Sequence, residues 1–192
     1  MIETERLRLR PFTPADLDLI ETLYSDGELL RYSPFDVMSH AQAKAHLARI
    51  VADWTRAPLR SLEFAMVRKP RAPREGEEEK IGRCHILIDP ETDTGMIGWF
   101  LRREHWGQGY ARESGRALIR YCFEALGLHR VNALCHPENL ASQRALEACG
   151  LRREGWFRQR CRYTKGGVAF WQDELEYAVL AWETGAEPGE RG

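Results

Sequence analysis

The sequence predicts an α/β fold: a mixed sheet with helices on both faces. Three observations carry this. Period-two apolar runs recur near both ends of the chain, and helix-spaced apolar stripes lie between them. In the middle, a strand–helix–strand–helix order implies parallel pairing, flanked by antiparallel meanders. The 192 residues are 43% apolar and 30% charged, which suits a single core of ordinary composition.

Residues 6–10 alternate Arg-Leu-Arg-Leu-Arg, a strand with one buried face, which Pro11 ends. Thr13-Pro14 places a cap before a Pro at the first helical position, and Leu17, Ile20 and Tyr24 continue that helix on one face. Ala43, Leu47, Ile50 and Trp54 predict a second helix over 41–54, and 61–67 reads as a strand. Residues 68–80 hold two prolines, a glycine and a charge run, the signature of an exposed mobile loop. Strands over 81–88 and 94–101 form a hairpin across Asp89-Pro90-Glu91-Thr92-Asp93. A long helix over 109–126 carries Ala111, Gly115, Leu118, Cys122 and Ala125 on one stripe, with Gly127 suited to a left-handed stop. A short strand (131–135) and a helix (140–149, ending at Gly150) follow. An antiparallel pair, 153–163 and 168–180, closes the chain across Lys165-Gly166-Gly167. Residues 184–192 are rich in Gly, Pro and Glu and are expected to fray.

Composition excludes several functions. Lys and Arg sum to 28 against 29 Asp and Glu, so no basic surplus points to nucleic acid or anionic lipid. The five cysteines are odd in number and lack a C-x-x-C, which fits neither a disulfide framework nor a zinc site. None of Cys84, Cys122, Cys135, Cys149 and Cys161 stands out as a nucleophile; buried thiols are the commoner case. The N-terminus shows no basic and apolar leader, and the apolar run at 177–182 is far short of the ~20 residues of a membrane helix. A cytoplasmic protein without a metal is expected.

The chemistry concentrates where strands run into helices. In Trp99-Phe100-Leu101-Arg102-Arg103-Glu104-His105-Trp106-Gly107-Gln108-Gly109-Tyr110-Ala111, a strand passes through two glycines into a helix. A helix start leaves N–H groups unpaired and carries about half a positive charge, so bare glycines there can cradle a phosphate. The alternative is a tight turn with nothing bound. Neither a Walker A loop nor the third glycine of a Rossmann turn is present. Cys135-His136-Pro137-Glu138-Asn139-Leu140-Ala141-Ser142 repeats the strand-to-helix passage, with Asn139 placed as an N-cap. Two adjacent strands ending at helix starts form a common docking place for ligands.

These motifs resemble the GCN5-related N-acetyltransferase (GNAT) family. Its phosphate turn, Arg/Gln-x-x-Gly-x-Gly/Ala, falls on Trp106-Gly107-Gln108-Gly109-Tyr110-Ala111, with Trp in place of Arg or Gln as in the branch resembling Rim-type ribosomal-protein N-terminal acetyltransferases. Residues 138–151 match that branch's second motif, and Glu5-Arg6-Leu7-Arg8-Leu9-Arg10 fits its opening. The resemblance implies a single GNAT domain over 1–183, a flexible tail over 184–192, and a mostly antiparallel sheet with one splayed parallel pair. It implies acetyl-CoA as cosubstrate and a primary amine as acceptor, in a monomer or homodimer. Backbone near Phe100 and Leu101 would pair with the pantetheine arm, and amides from Gly107 to Arg112 would hold the pyrophosphate. Asn139 would bond the arm and Ser142 would face the sulfur. Arg112 and Arg144 are candidates for the adenosine phosphates, or else a solvated helix face.

The implied reaction is direct attack of an amine on the thioester, which needs a neutral amine, a polarised carbonyl and a proton for the thiolate. A strand amide near Phe100 or Leu101 would serve the carbonyl, and Ser142 the thiolate. The tyrosine that many relatives place four residues beyond that serine is Leu146 here. Asn132 and Leu134 stand where relatives often place a glutamate base, and Glu104, His105 and His136 read as surface loop residues. An α-amine is roughly a tenth neutral at pH 7 and a lysine side chain about one part in 2,500, a gap of ~3.4 kcal/mol. A site with no evident base therefore suits a protein or peptide N-terminus or a weakly basic small amine. The Arg-rich stretch 152–162 is either a groove wall that attracts acidic substrates or a strand with a solvated face; Trp156 and Trp171 read as core or pocket wall. Two rivals stay open: a non-catalytic acyl-CoA-binding module, and an antibiotic or polyamine acetyltransferase with an acidic groove.

Overall fold

The Leu-Arg alternation near the N-terminus buries Leu7 and Leu9 and leaves the arginines on the other face. In the computed structural model, which describes residues 1–70 and 78–185, this stretch is strand β2 (Leu7–Pro11), preceded by a two-residue edge strand β1 (Ile2–Glu3). Then come α1 (Leu17–Ser25), α2 (His40–Asp53), β3 (Ser61–Arg68), β4 (Glu79–Asp89), β5 (Thr94–Leu101) and α3 (Tyr110–Glu124). The chain continues through β6 (Arg130–Cys135), α4 (Leu140–Cys149), β7 (Arg152–Lys165) and β8 (Val168–Leu180). The eight strands form one sheet in the order β1-β2-β3-β4-β5-β6-β8-β7. Every pairing is antiparallel except β5–β6.

The helices bury most of the predicted stripes, but Ala125 falls past the end of α3 and is exposed, and Leu17 is only half-buried. Leu118, Ile119, Cys122 and Phe123 of α3 and Leu146 of α4 pack on one face of the sheet with Leu7, Phe64, Ile86 and Val131. Leu19, Ile20 and Leu23 of α1 and Ala43, Leu47 and Ile50 of α2 cover the other face. At Gly115 an added Cβ would come within 2.6 Å of the Cys149 sulfur, so glycine sets how closely α3 approaches α4. The β7–β8 turn is left-handed at both Gly166 and Gly167, as a two-residue type I′ hairpin requires.

The structure corrects several boundaries. Thr13-Pro14 opens a single 3-10 turn (Pro14–Asp16) rather than the α-helix itself; Asp16 is buried there because it accepts two bonds from Arg10, both 2.7 Å. Arg68 belongs to β3, and Glu79 and Lys80 to β4, where strand pairing of Arg68 with Glu79 is joined by a 2.9 Å ion pair. The expected loop over 68–80 is shorter for that reason, and its residues 71–77 lie outside the described residues. Thr184 closes a 3-10 turn (Ala181–Thr184) instead of opening a tail, and residues 186–192 also lie outside the described residues.

Candidate active site

Parallel pairing of β5 with β6 covers only Thr94–Met96 against Arg130–Asn132. Beyond that, β5 runs on to Leu101 beside β4, and β6 to Cys135 beside β8, without pairing with each other. The two strands part, and a gap opens between them. Arg102 donates its N–H to Ile81 on β4, and the Phe100 carbonyl lies against Gly82, where an added Cβ would meet it at 2.3 Å. Strand alternation therefore turns the backbone of Trp99 and Leu101 toward the gap. This moves one expectation: Phe100 gives its backbone to β4 and its ring to the opposite face, against Tyr24 and Phe35. At the outer end of the gap the Trp106 indole donates to the Leu101 carbonyl at 2.8 Å, while the residue stays 48% exposed.

Both helix starts face this gap from the α3/α4 side. Gly107 and Gly109 are left-handed, and Gly109 is the N-cap of α3 without any side-chain cap bond. The first amides of a 15-residue helix thus open onto a turn bare of side chains at both glycines. Gln108 is tied down by its amide to the Glu104 carbonyl at 2.8 Å. Tyr110 is buried beneath the Arg6 guanidinium, 4.5 Å from its ring centre, and Ala111 packs on the core. Arg6 also donates to the Gln108 carbonyl at 3.0 Å and, through Nε and its N–H, to Glu113 at 2.6 and 2.8 Å. Burial alone would raise Glu113, but the Thr4 hydroxyl and both Arg6 donors hold it below the ordinary carboxylate range. The opening Thr4–Arg6 segment is thus the clamp on the glycine turn, a role its strand-like alternation gave no sign of. Arg112 is exposed beside a cavity of about 550 Å³ that Arg6, Arg116 and Arg120 also line.

At α4 the Asn139 side chain accepts the Ser142 N–H at 3.1 Å, so its oxygen serves as the helix cap. Ser142, half-buried in the first turn of α4, lies beside the Cys135 thiol at the end of β6. Burial and the negative charge of Glu174 push that thiol up to about 11, and the neighbouring Ser142 works against them. Cys122 and Cys149 are likewise raised by burial, to about 12 and about 11, which leaves buried, inert thiols. Arg144 is exposed on α4. Leu146 is buried in the core.

The opposite face of the gap is roofed by the chain between α1 and α2. Its Phe35 touches the Phe100 ring at 6.1 Å and its Tyr32 stacks on His136 at 5.0 Å. The β7–β8 tip is fastened to it by Lys165 Nζ to the Leu30 carbonyl (2.8 Å) and by the Gly166 N–H to Asp36 (3.0 Å). One wall beneath is aromatic and cationic. Arg83, buried, pairs with buried Glu63 at 2.8 Å, donates to the Tyr24 hydroxyl and faces His85 at 3.2 Å. Burial, with the charges of Arg83 and Arg49, pushes His46 down to about 4; burial with Arg83 pushes His85 down to about 3. Both rings are neutral in the folded protein at pH 7 and resist protonation until well below the unfolded value of 6.5. Stability is therefore whole above pH 6.5 and expected to fall as pH drops from 6.5 through about 4 for His46 and about 3 for His85. Thermal melts across that range, compared with His46→Gln and His85→Gln, should show a shallower acid slope in both variants.

Of three residues read as surface loop, two, His105 and His136, differ, and Glu104 is exposed as expected. His105 is 7% exposed, not a surface residue, because its Nε2 faces Glu79 at 3.1 Å and its ring packs on Tyr110. His136 is half-buried under Tyr32. Glu104 is exposed and pairs with Arg102. Trp156 and Trp171 are 61% and 58% exposed, not core or pocket wall, since they sit on the β7–β8 hairpin where no helix covers them. Among the described residues no group of three His, Cys, Asp or Glu side chains is gathered to hold a metal, and no helix is long and apolar enough to cross a membrane.

Residues 6–152 match the family described as acetyltransferase (GNAT) domain. The chain belongs to that family. Among GNAT relatives, the N-acetyltransferase YnaD of Bacillus subtilis, itself called uncharacterized, is 31% identical over 95% of this chain and 98% of its own. A GNAT acetyltransferase from Bacillus anthracis superposes with a TM-score of 0.78 at 28% identity, covering 93% of this chain and 97% of that one. The RimL ribosomal-protein α-N-acetyltransferase, solved with coenzyme A, shares the fold at a TM-score of 0.75 and 20% identity, over 92% and 95% of the two chains. The chain is thus a GNAT acetyltransferase that uses acetyl-CoA.

Proposed function

We propose that the protein transfers the acetyl group of acetyl-CoA to a primary amine by direct attack, the acceptor being a protein or peptide N-terminus or a small amine. The observation that carries this is the gap itself: β5 leaves the backbone of Trp99 and Leu101 unmatched by β6, beside the uncapped start of α3. The pantetheine arm, as an extra strand, would bond Trp99 and Leu101, with Phe100 contributing only the strand's position. Amides of Gly107, Gln108, Gly109, Tyr110, Ala111 and Arg112 would hold the pyrophosphate, with Trp106 closing the outer end. Arg112 and Arg144, both exposed, would reach the adenosine phosphates. The Asn139 amide would bond the arm.

The reaction converts amine and thioester into amide and free thiol. The amine nitrogen forms a bond to the carbonyl carbon, the carbon–sulfur bond breaks, and its electron pair goes to sulfur. The amide of Leu101 or Trp99 would stabilise the oxyanion, and the Ser142 hydroxyl, beside the Cys135 thiol at the end of β6, would donate to the leaving sulfur. Leu146 is buried and supplies no acid.

The test follows free thiol from acetyl-CoA over a panel of amines, with Ser142→Ala beside the wild type. Thiol release is expected, together with a loss of roughly 10²-fold or more in kcat for the variant at unchanged acetyl-CoA affinity. An N-terminal peptide should outpace an Nα-blocked lysine peptide. Acetyl-CoA binding without thiol release from any amine would instead favour a non-catalytic binding module.

A further inference from the structure

On one face of β8, two carboxylates two residues apart live in opposite surroundings. Glu176 is fully matched by Arg130 (3.1 Å), Arg160 (2.6 Å) and the Asn132 amide (3.1 Å). Glu174 is 4% exposed, yet among the described residues no Arg, Lys or His stands at ion-pair distance from it. Its bonds come from neutral donors only: the Tyr163 hydroxyl at 2.5 Å and the Cys161 thiol at 3.4 Å. A buried carboxylate left without a cation is costly, and buried charges are ordinarily paired.

The fold takes trouble to build this place. Between Phe157–Cys161 of β7 and Gln172–Glu174 of β8 the register slips, so that three β7 residues stand against Asp173 alone. Asp173 holds the bulge by accepting the Gln159 N–H and the Trp156 indole N–H, both at 2.8 Å, with Gln159 forced into a left-handed conformation. That slip brings Cys161 opposite Gln172, next to Glu174, and puts Tyr163 within reach. Such bulges re-aim side chains beside active sites.

The placement is also right. Leu175 pairs with Cys135, so Glu174 stands one residue beyond the end of β6, and its charge is felt at the Cys135 thiol beside Ser142. Its β8 face is the one Glu176 and Asn132 share, opposite α4, where the α1–α2 roof and the β7–β8 tip enclose the gap. Toward the closed end of the gap lies a cavity of about 510 Å³ lined by Met96, Asn132 and Glu176, with the Asn132 oxygen buried and unbonded. The groups around Glu174 are Tyr163 and Cys161 on β7, with Arg160 at longer range, and Cys135 on β6.

We propose that Glu174 is the counter-ion and proton acceptor of the incoming amine, and that the acceptors are therefore cationic amines. This rests on the acetyl-transfer reading above. Glu174 takes one proton from the ammonium. The neutral amine attacks the thioester, the carbon–nitrogen bond forms and the carbon–sulfur bond breaks. The second amine proton leaves with the thiolate as free thiol, and Glu174 returns its proton to solvent. The arginines once offered as a groove wall do not oppose this: Arg158 and Arg162 are exposed, and Arg160 is held by Glu176.

The experiment measures acetyl-CoA affinity and thiol release for wild type, Glu174→Gln and Glu174→Asp. Acceptors are an N-terminal peptide, a diamine and 2,2,2-trifluoroethylamine, which is already neutral at pH 7. Expected for Glu174→Gln is unchanged acetyl-CoA affinity, a loss of about 10²-fold or more in kcat/KM with the two cationic amines, and a much smaller loss with the fluorinated amine. Glu174→Asp should recover part of the rate. A loss below threefold on every amine, or an equal loss on cationic and neutral amines, overturns the role. Lost acetyl-CoA affinity in both variants would make Glu174 a structural residue and equally overturn it. If wild type binds acetyl-CoA and acetylates none of the amines, the acetyl-transfer reading itself fails, a different result from any of these.

Discussion

Replacing Arg83 by leucine should destabilise the protein by about 3–5 kcal/mol, the usual loss when one partner of a buried ion pair is removed. Arg83 is 3% exposed and its only carboxylate partner among the described residues, Glu63, is 4% exposed. The variant leaves that buried carboxylate with only the longer Arg49 contact at 3.6 Å, and strips the Tyr24 hydroxyl and His85 of a donor. A second substitution, Glu63→Gln, removes the stranded charge and should recover much of the loss. Denaturant melts of the two single variants and the double one measure this. Additive losses would mean that the two side chains do not depend on each other.

Gly109→Val should weaken acetyl-CoA binding by tenfold or more while leaving the fold in place. At Gly109 φ is +82°, a conformation that costs a side-chain-bearing residue about 1–2 kcal/mol and is worst for a β-branched one. An added Cβ also meets the Arg6 guanidinium at 3.4 Å, so the clamp must yield as the turn relaxes. Relaxation swings the first α3 amides away from where the pyrophosphate would lie, and small shifts in positioned donors are expensive. Calorimetric titration with CoA tests this, with circular dichroism as the check on folding. Unchanged affinity would move the pyrophosphate away from this turn.

Much of the fold was legible because local chemistry and tertiary environment agree along most of the chain. The stretch 94–101 and the helix at 140–149 coincide with β5 and α4, each bounded by turn residues that leave no choice of terminus. Gly127 takes the left-handed conformation that its place after α3 suggests. The expected gap and helix starts follow from strand-to-helix passages that glycine and asparagine punctuate. Where local signals mislead, a partner far along the chain decides. His105 looks like a loop residue until Glu79 is beside it, 26 residues away. Arg6 looks like the solvated side of a strand until Glu113 lies against it. Trp156 and Trp171 look like core, and the hairpin that carries them extends past the last helix.

The sequence by itself determined the element order, the parallel crossing at the centre and the two helix starts, because periodicity, caps and glycines act within a few residues. Only the tertiary structure decided which carboxylates are matched. Glu174 and Glu176 read alike in the alternation of one strand, and what separates them is the register slip on β7, which gives one a pair of guanidinium groups and the other a phenol and a thiol. Burial and charge pairing depend on groups that meet only after the chain has folded, so no local pattern can report them.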